Sequence, residues 1–174
     1  MNGLQQVSWN ALSALEPGAE PGFDISIDLG TGLGGGAVGA FLTTLIVGAI
    51  LVAVAEEYVE AKMTEVVEEP VDSFLYGIFA LLALVVLIFL MVLSVVLIII
   101  AIPLAVIATI AWAAGASIAF LAIAERLIGR EDGWLKPLLL AAGINGALAL
   151  TGIGGLVSFA VGAAGFGAVL RDYL

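Results

Sequence analysis

The chain has 174 residues, of which 63% are hydrophobic and only 11% are charged. Soluble domains carry roughly 45–50% apolar residues and about 25% charged ones. A protein of this length cannot bury so large an excess of apolar residues in its own core, so the composition predicts an integral membrane protein. The chain has neither Cys nor His, which excludes disulfides, cysteine–histidine zinc sites and nucleophilic catalysis that depends on histidine.

Acidic residues dominate the charge. The chain has fifteen Asp and Glu residues but only five Lys and Arg residues, and its formal net charge is −10. A nucleic-acid-binding protein needs a basic surface, so nucleic acid is not expected as a partner. Loops on the inner side of a membrane usually favour Lys and Arg, whereas an acidic surface stays hydrated at high salt. The balance therefore predicts a halophilic, archaeal source.

The N-terminal tail, residues 1–32, is polar and contains four acidic but no basic residues. A signal peptide would have a basic region before an apolar run, so we do not expect one here. Apolar residues at helical spacing predict a short surface helix over 4–15. Alternation over 23–29 predicts a strand, which would lie in the membrane interface or add to the sheet edge of an extracytoplasmic partner.

Residues 33–55 are uncharged and mostly apolar. A helix of this length spans about 35 Å and can cross a hydrocarbon core of about 30 Å, so it is the first predicted transmembrane span. The run 30–35 matches the G-x-G-x-x-G pattern, with Glu56 about 20 residues further on. A dinucleotide site needs that pattern inside a parallel sheet, so we interpret the run as a flexible glycine segment before the membrane.

Residues 56–73 are acidic but carry apolar residues along one side, which predicts an amphipathic continuation of the first helix, ending near Pro70. The next 51 residues, 74–124, are uncharged and too long for one crossing. We predict two spans, 74–99 and 103–124, separated by a tight turn at Pro103.

The second half of the chain has one charged segment, 125–136, which could bind lipid head groups through Arg126 and Arg130. Because acidic residues balance the basic ones locally, attraction to anionic lipid would be weak, and we interpret the segment as a solvated connector. Residues 137–170 are apolar with a glycine-rich middle, and they predict two short spans, 137–151 and 155–170, or a re-entrant hairpin. The predicted fold is therefore all-α. It is a polytopic transmembrane helical bundle over 33–174, with four or five membrane segments and a last pair that is short or re-entrant.

The few basic residues predict the orientation. With five crossings all of them fall on one side, and basic residues mark the cytoplasmic side. These topology-setting residues are Lys62, Arg126, Arg130, Lys136 and Arg171. We therefore expect the N-terminus outside, the C-terminus in the cytoplasm, and the protein in the cell membrane or in a virion membrane.

Small residues recur at four-residue spacing, which lets helix backbones approach closely. These predicted helix-packing residues are Gly35 and Gly39 in the first span, Ala111, Gly115 and Ala119 in the third, and Ser158 and Gly162 in the last. We favour packing inside one bundle and keep a homo-oligomer interface as the alternative.

Asn145 is the most polar residue within a predicted span, and we interpret it as a helix–helix hydrogen-bonding residue rather than as part of a substrate or ion site. No predicted span contains Asp, Glu, Lys, Arg or His, whereas ion-coupled transporters, pumps and intramembrane aspartyl proteases need such groups at depth. We therefore expect a protein with no catalytic residues, no metal site and no cofactor.

A resemblance covers the last three-fifths of the chain. Its features are Glu69-Pro-Val-Asp-Ser-Phe-Leu-Tyr-Gly77 entering an apolar run, Ile102-Pro103, Glu125-Arg-Leu-Ile-Gly-Arg130, and Gly152-Ile-Gly-Gly-Leu156 leading to Gly162-Ala-Ala-Gly-Phe-Gly167. This region, about 70–170, resembles the membrane domain that follows the β-helical repeats of bactofilin-like, polymer-forming cytoskeletal or surface proteins. The resemblance implies anchoring or scaffolding, although residues 1–32 contain no β-helical repeats.

Three functions follow as hypotheses. The first is a non-enzymatic membrane anchor or scaffold, whose partners are the lipid bilayer, a further copy of the chain, and a separate extracytoplasmic or polymer-forming protein. The second is a structural membrane protein of a halophilic virus. The third is a small channel or a transporter-complex subunit, in which polar side chains would line a central axis.

Overall fold

The computed structural model describes residues 29–94, 97–131 and 133–172, with side chains from Gly35 onward. In this part of the chain every regular element is a helix, which confirms the predicted all-α bundle. The helices are α1 Leu29–Glu68, α2 Pro70–Val92, α3 Ile98–Ile128, α4 Leu135–Ala149 and α5 Gly154–Leu170. The predicted surface helix over 4–15 and strand over 23–29 lie outside the described residues, apart from Leu29, which begins α1.

Among the described residues, three helices are long and apolar enough to cross a membrane, namely α1 from Gly35, α2 and α3. Their outer surfaces carry large exposed apolar side chains, such as Phe79 and Ile99, as expected of helices compatible with a membrane location. The last two helices have 15 and 17 residues, so they are about 22 and 25 Å long and shorter than the hydrocarbon core.

A break in α1 separates two kinds of helix. Ala55 has non-helical backbone angles, φ −144° and ψ 52°. Before it α1 is uncharged, and after it the distal segment, residues 56–68, is acidic outside and apolar inside. Its Val59, Met63 and Val66 are buried against α3, α4 and α5, so apolar burial holds this segment against the bundle.

The turn between α2 and α3 corrects a sequence prediction. The chain turns between Val92, where α2 ends, and Ile98, where α3 begins, whereas Pro103 lies inside α3 as its sixth residue. A proline near the beginning of a helix removes only one backbone hydrogen bond, the one that its N–H would have donated to Ile99, and the helix continues past it. The spans predicted at 74–99 and 103–124 are therefore helices that begin earlier, at Pro70 and Ile98.

The helices α3 and α5 contact every other helix and carry most of the buried residues of the bundle. On one side α4 packs against α1 and α3. On the other side α5 lies between α2 and α3. Both α2 and α3 pack extensively against α5, whereas α2 and α3 make few contacts with each other. Phe120, Ile118 and Leu121 of α3 and Phe166 of α5 are the largest fully buried apolar side chains among the described residues.

Successive helices alternate in direction. The end of α1, the beginning of α2, the end of α3, the beginning of α4 and the end of α5 meet at one end of the bundle, here called the charged end. The α2–α3 and α4–α5 turns lie at the opposite end. This arrangement brings together polar residues that are more than one hundred positions apart in the sequence.

Candidate functional site

The charged end is held by ion pairs on the distal segment of α1. The ammonium of Lys62 donates to a carboxylate oxygen of Glu65 at 2.8 Å and to Asp172 at 2.7 Å. Only 5% of the Lys62 side chain is exposed, whereas half of Asp172 is exposed. Because Lys62 is buried, these two partners are what make its charge tolerable at this position.

A second basic residue extends this cluster. Arg171, directly after α5, donates to Glu69 at 2.5 Å and to Glu65 at 3.3 Å. The carboxylates of Glu69 and then Glu65 raise the pKa of Arg171 above its usual value, so its charge is constant at any physiological pH. The end of α5 is thereby joined to the distal segment and to the residue that precedes α2.

The other side of the charged end is joined in the same way. Arg130, just after α3, lies 2.5 Å from Glu60 of the distal segment and 3.6 Å from Glu125. Its guanidinium stacks on the ring of Trp134 at 4.2 Å, and the Trp134 indole donates to Glu56 at 2.6 Å. Each exposed pair contributes about 0–1 kcal/mol, but together they fix the distal segment across the ends of α3 and α5.

All five residues that were expected to set the topology lie at or near this end. Lys62, Arg130 and Arg171 are the ion-paired ones. Arg126, in the last turn of α3, is exposed and makes no ion pair within the described part of the chain. Lys136 is exposed in the first turn of α4 and has a contact of its own.

A polar cluster lies further along the bundle. The Asn145 amide of α4 donates to the Thr44 hydroxyl at 2.8 Å and to the Ala40 carbonyl at 3.4 Å, both in α1. Ser158 of α5 donates to the Asn145 carbonyl oxygen at 3.1 Å. The side chain of Asn145 thus joins α1, α4 and α5, and Thr44 is buried.

The predicted small-residue stripe of α3 faces α5. A Cβ added at Gly115 would lie 2.5 Å from the backbone nitrogen of Phe166, and one added at Gly162 would lie 2.8 Å from the Trp112 ring. Ala119 is fully buried and Ala111 is half-buried. These positions pack within the single chain.

The stripe at the beginning of α1 is different. A Cβ added at Gly35 or at Gly39 would meet nothing within 4 Å. These two glycines therefore make no close helix contact in the described part of the chain. The run 30–35 is helical, so it does not form the loop that a dinucleotide-binding pattern requires.

Sequence reasoning missed the α2–α5 helix pair, which packs as closely as α3 with α5. Ser73 and Gly77 of α2 are buried against Ala163 and Gly167 of α5, and a Cβ added at Gly77 would overlap the Ala163 carbonyl oxygen. The Ser73 hydroxyl is buried with no hydrogen-bond partner among the described residues. The available signal was the four-residue spacing of Ser73 and Gly77 in a helix otherwise rich in large apolar residues.

Comparison with known proteins gives a family but no activity. A domain of unknown function, DUF8173, matches residues 10–174. The chain belongs to this family. No curated protein and no solved structure shows significant similarity to it. Within the described residues, no three His, Cys, Asp or Glu side chains are grouped so that they could hold a metal ion.

Proposed function

We propose that this DUF8173 chain is a non-enzymatic integral membrane anchor or scaffold whose charged end holds a partner protein. The observation that carries the proposal is the ion-paired charged end. The distal segment of α1 is fixed across the helix ends by Lys62, Arg130 and Arg171. A preorganised surface loses little conformational freedom on binding, which favours association.

The partner is proposed from charge and from resemblance. Glu57, Glu68 and Asp72 are exposed at the charged end and make no ion pair within the described residues, so the surface would attract a basic partner segment. Residues 70–170 resemble the membrane domain of bactofilin-like proteins, and the corresponding partner is then a polymer-forming protein on a separate chain.

The test is affinity purification of the tagged full-length chain from native membranes after mild cross-linking. A variant with Glu57→Gln, Glu68→Gln and Asp72→Asn removes three negative charges at the charged end. Its matched control, Glu16→Gln, Glu20→Gln and Asp24→Asn, removes the same charge from the N-terminal tail. We expect one co-purifying protein that the first variant loses and the control keeps.

Two results would contradict the proposal. Recovery of the same protein by both variants would mean that the charged end does not bind it. Loss from the tail variant alone would transfer the binding to residues 1–32, as in the strand-addition hypothesis for 23–29.

A channel or transporter-subunit function rests on the polar cluster of Thr44, Asn145 and Ser158. In the single chain these side chains satisfy one another across three helices, so they supply helix contacts rather than a free polar lining. This favours the scaffold over the channel.

A further inference from the structure

An apolar groove lies beside the charged end, between the distal segment of α1, the beginning of α2, the end of α3 and the middle of α5. It encloses about 450 Å³, within the range of roughly 300–1,000 Å³ that small-molecule sites occupy. Ala119, Ala160 and Ala164 contribute to its lining. Their short side chains leave the space open where larger residues would fill it.

One charged residue, Arg126, contributes to the groove lining within the described part of the chain. It also borders a neighbouring polar hollow with Glu60, Glu125 and Arg130. Both of those carboxylates already contact Arg130, whereas Arg126 has no ion-pair partner among the described residues. The guanidinium of Arg126, which makes no ion pair within the described residues, thus lies next to the apolar groove.

We infer that this groove binds an anionic membrane lipid, with one acyl chain along the alanines and the headgroup phosphate at Arg126. Arg126 and Ala119 are seven residues apart on α3, so the apolar lining extends about 10 Å along the helix from the arginine. A guanidinium binds phosphate oxygens through two parallel hydrogen bonds. Packing of the acyl chain against the groove adds van der Waals contacts that a free phosphate lacks.

The charge of the surroundings sets the selectivity. Glu68 borders the same polar hollow as Arg126 and makes no ion pair within the described residues, so it opposes an anionic headgroup. Replacing it should strengthen binding, whereas replacing Arg126 should weaken it. This proposal is independent of the partner protein, because lipid binding and co-purification are measured separately.

The experiment is native mass spectrometry of the full-length chain in detergent, titrated with phosphatidylglycerol, phosphatidylcholine or inorganic phosphate. Arg126→Gln removes the proposed phosphate ligand, and Lys136→Gln removes a charge from the same end as its control. Ala160→Leu fills the groove, and Ala147→Leu adds the same side chain on the exposed surface of α4. Circular dichroism establishes that each variant is folded.

We expect Arg126→Gln to weaken phosphatidylglycerol binding about fivefold, the effect of one basic residue near a membrane surface. Ala160→Leu should lower the binding of both lipids, Glu68→Gln should raise that of phosphatidylglycerol, and the two controls should match the wild type. Equal losses in Arg126→Gln and Lys136→Gln would overturn the site, since only general charge would then matter. So would competition by inorganic phosphate at the concentration of the lipid, or unchanged binding in a folded Ala160→Leu variant.

Discussion

At the scale of single residues, the close contacts of this bundle depend on the absence of side chains. Gly115 in α3 and Gly77 in α2 both face α5 at distances that no Cβ tolerates. Both are buried where backbone lies against backbone, so a neighbouring side chain cannot rotate away to make room. Close packing of this kind replaces the hydrophobic driving force that helices lack in lipid.

Gly115→Ala should therefore destabilise the chain by about 1–3 kcal/mol, because α3 and α5 must separate to admit a methyl group. Gly143→Ala is the matched control. A Cβ added at Gly143 meets nothing within 4 Å, and alanine is the better helix former by up to about 1 kcal/mol. Thermal unfolding in detergent should show opposite shifts, and a Gly115→Ala variant as stable as Gly143→Ala would refute the assigned interface.

At the scale of elements, the sequence predicted the parts of the helices that carry their own local signal. The apolar side of 56–68 and the proline that follows it determine where α1 becomes amphipathic and where it ends. The short last pair was also predicted, to within two residues at each boundary. The α2–α3 turn was placed wrongly because Pro103 is the only proline between residues 74 and 124, whereas the residues that separate α2 from α3, 93–97, include neither Gly nor Pro.

The pairing of elements could not be predicted from the sequence. Ser73 lies next to Gly167, and Lys62 contacts Asp172, at separations of about one hundred residues. No local periodicity specifies which small-residue stripe meets which. The sequence therefore indicated the residue types of the candidate site, and the tertiary structure determined their partners.

The polar cluster gives an element-scale prediction. In a double-mutant cycle, Thr44→Ala and Asn145→Ala should show a coupling energy of about 0.6 kcal/mol, and no more than about 1.7 kcal/mol, as for hydrogen bonds between membrane helices. Ser94→Ala, in the α2–α3 turn, is the control and should show no coupling with Asn145→Ala. Additive effects of the first pair on unfolding would mean that the hydrogen bond does not join α1 to α4.

At the scale of the whole molecule, the alternating helices assemble one charged end and an opposite end that carries no Asp, Glu, Lys or Arg among the described residues. The N-terminal tail leads into α1 at the end opposite the basic residues. Because basic residues mark the cytoplasmic side, we propose that the charged end is cytoplasmic and the N-terminus is outside.

The orientation can be tested by cysteine labelling, because the chain has no native Cys. A membrane-impermeant maleimide added to intact cells should label Ser8→Cys in the tail. Glu131→Cys, exposed between α3 and α4, should react only after the membrane is disrupted. The reverse pattern would invert the topology while leaving the fold as described.

Salt should act on the whole molecule through its net charge of −10. Added salt weakens the few surface ion pairs, but it also screens the repulsion among the more numerous acidic residues. Because acidic residues outnumber basic ones three to one, the screening of repulsion should be the larger effect. The unfolding temperature in detergent should rise from low to molar KCl, and a maximum at low salt would argue against a halophilic source.

The position of α5 has a consequence for biogenesis. This helix is synthesised after the other four described helices, yet it lies between α2 and α3, and Arg171 and Asp172 directly after it contact the distal segment of α1. The four earlier helices must leave a gap during insertion, which α5 then closes. Nascent chains arrested at Ala149 should therefore remain protease-sensitive in the distal segment, and protection should appear only once α5 and the two residues after it have been synthesised and inserted.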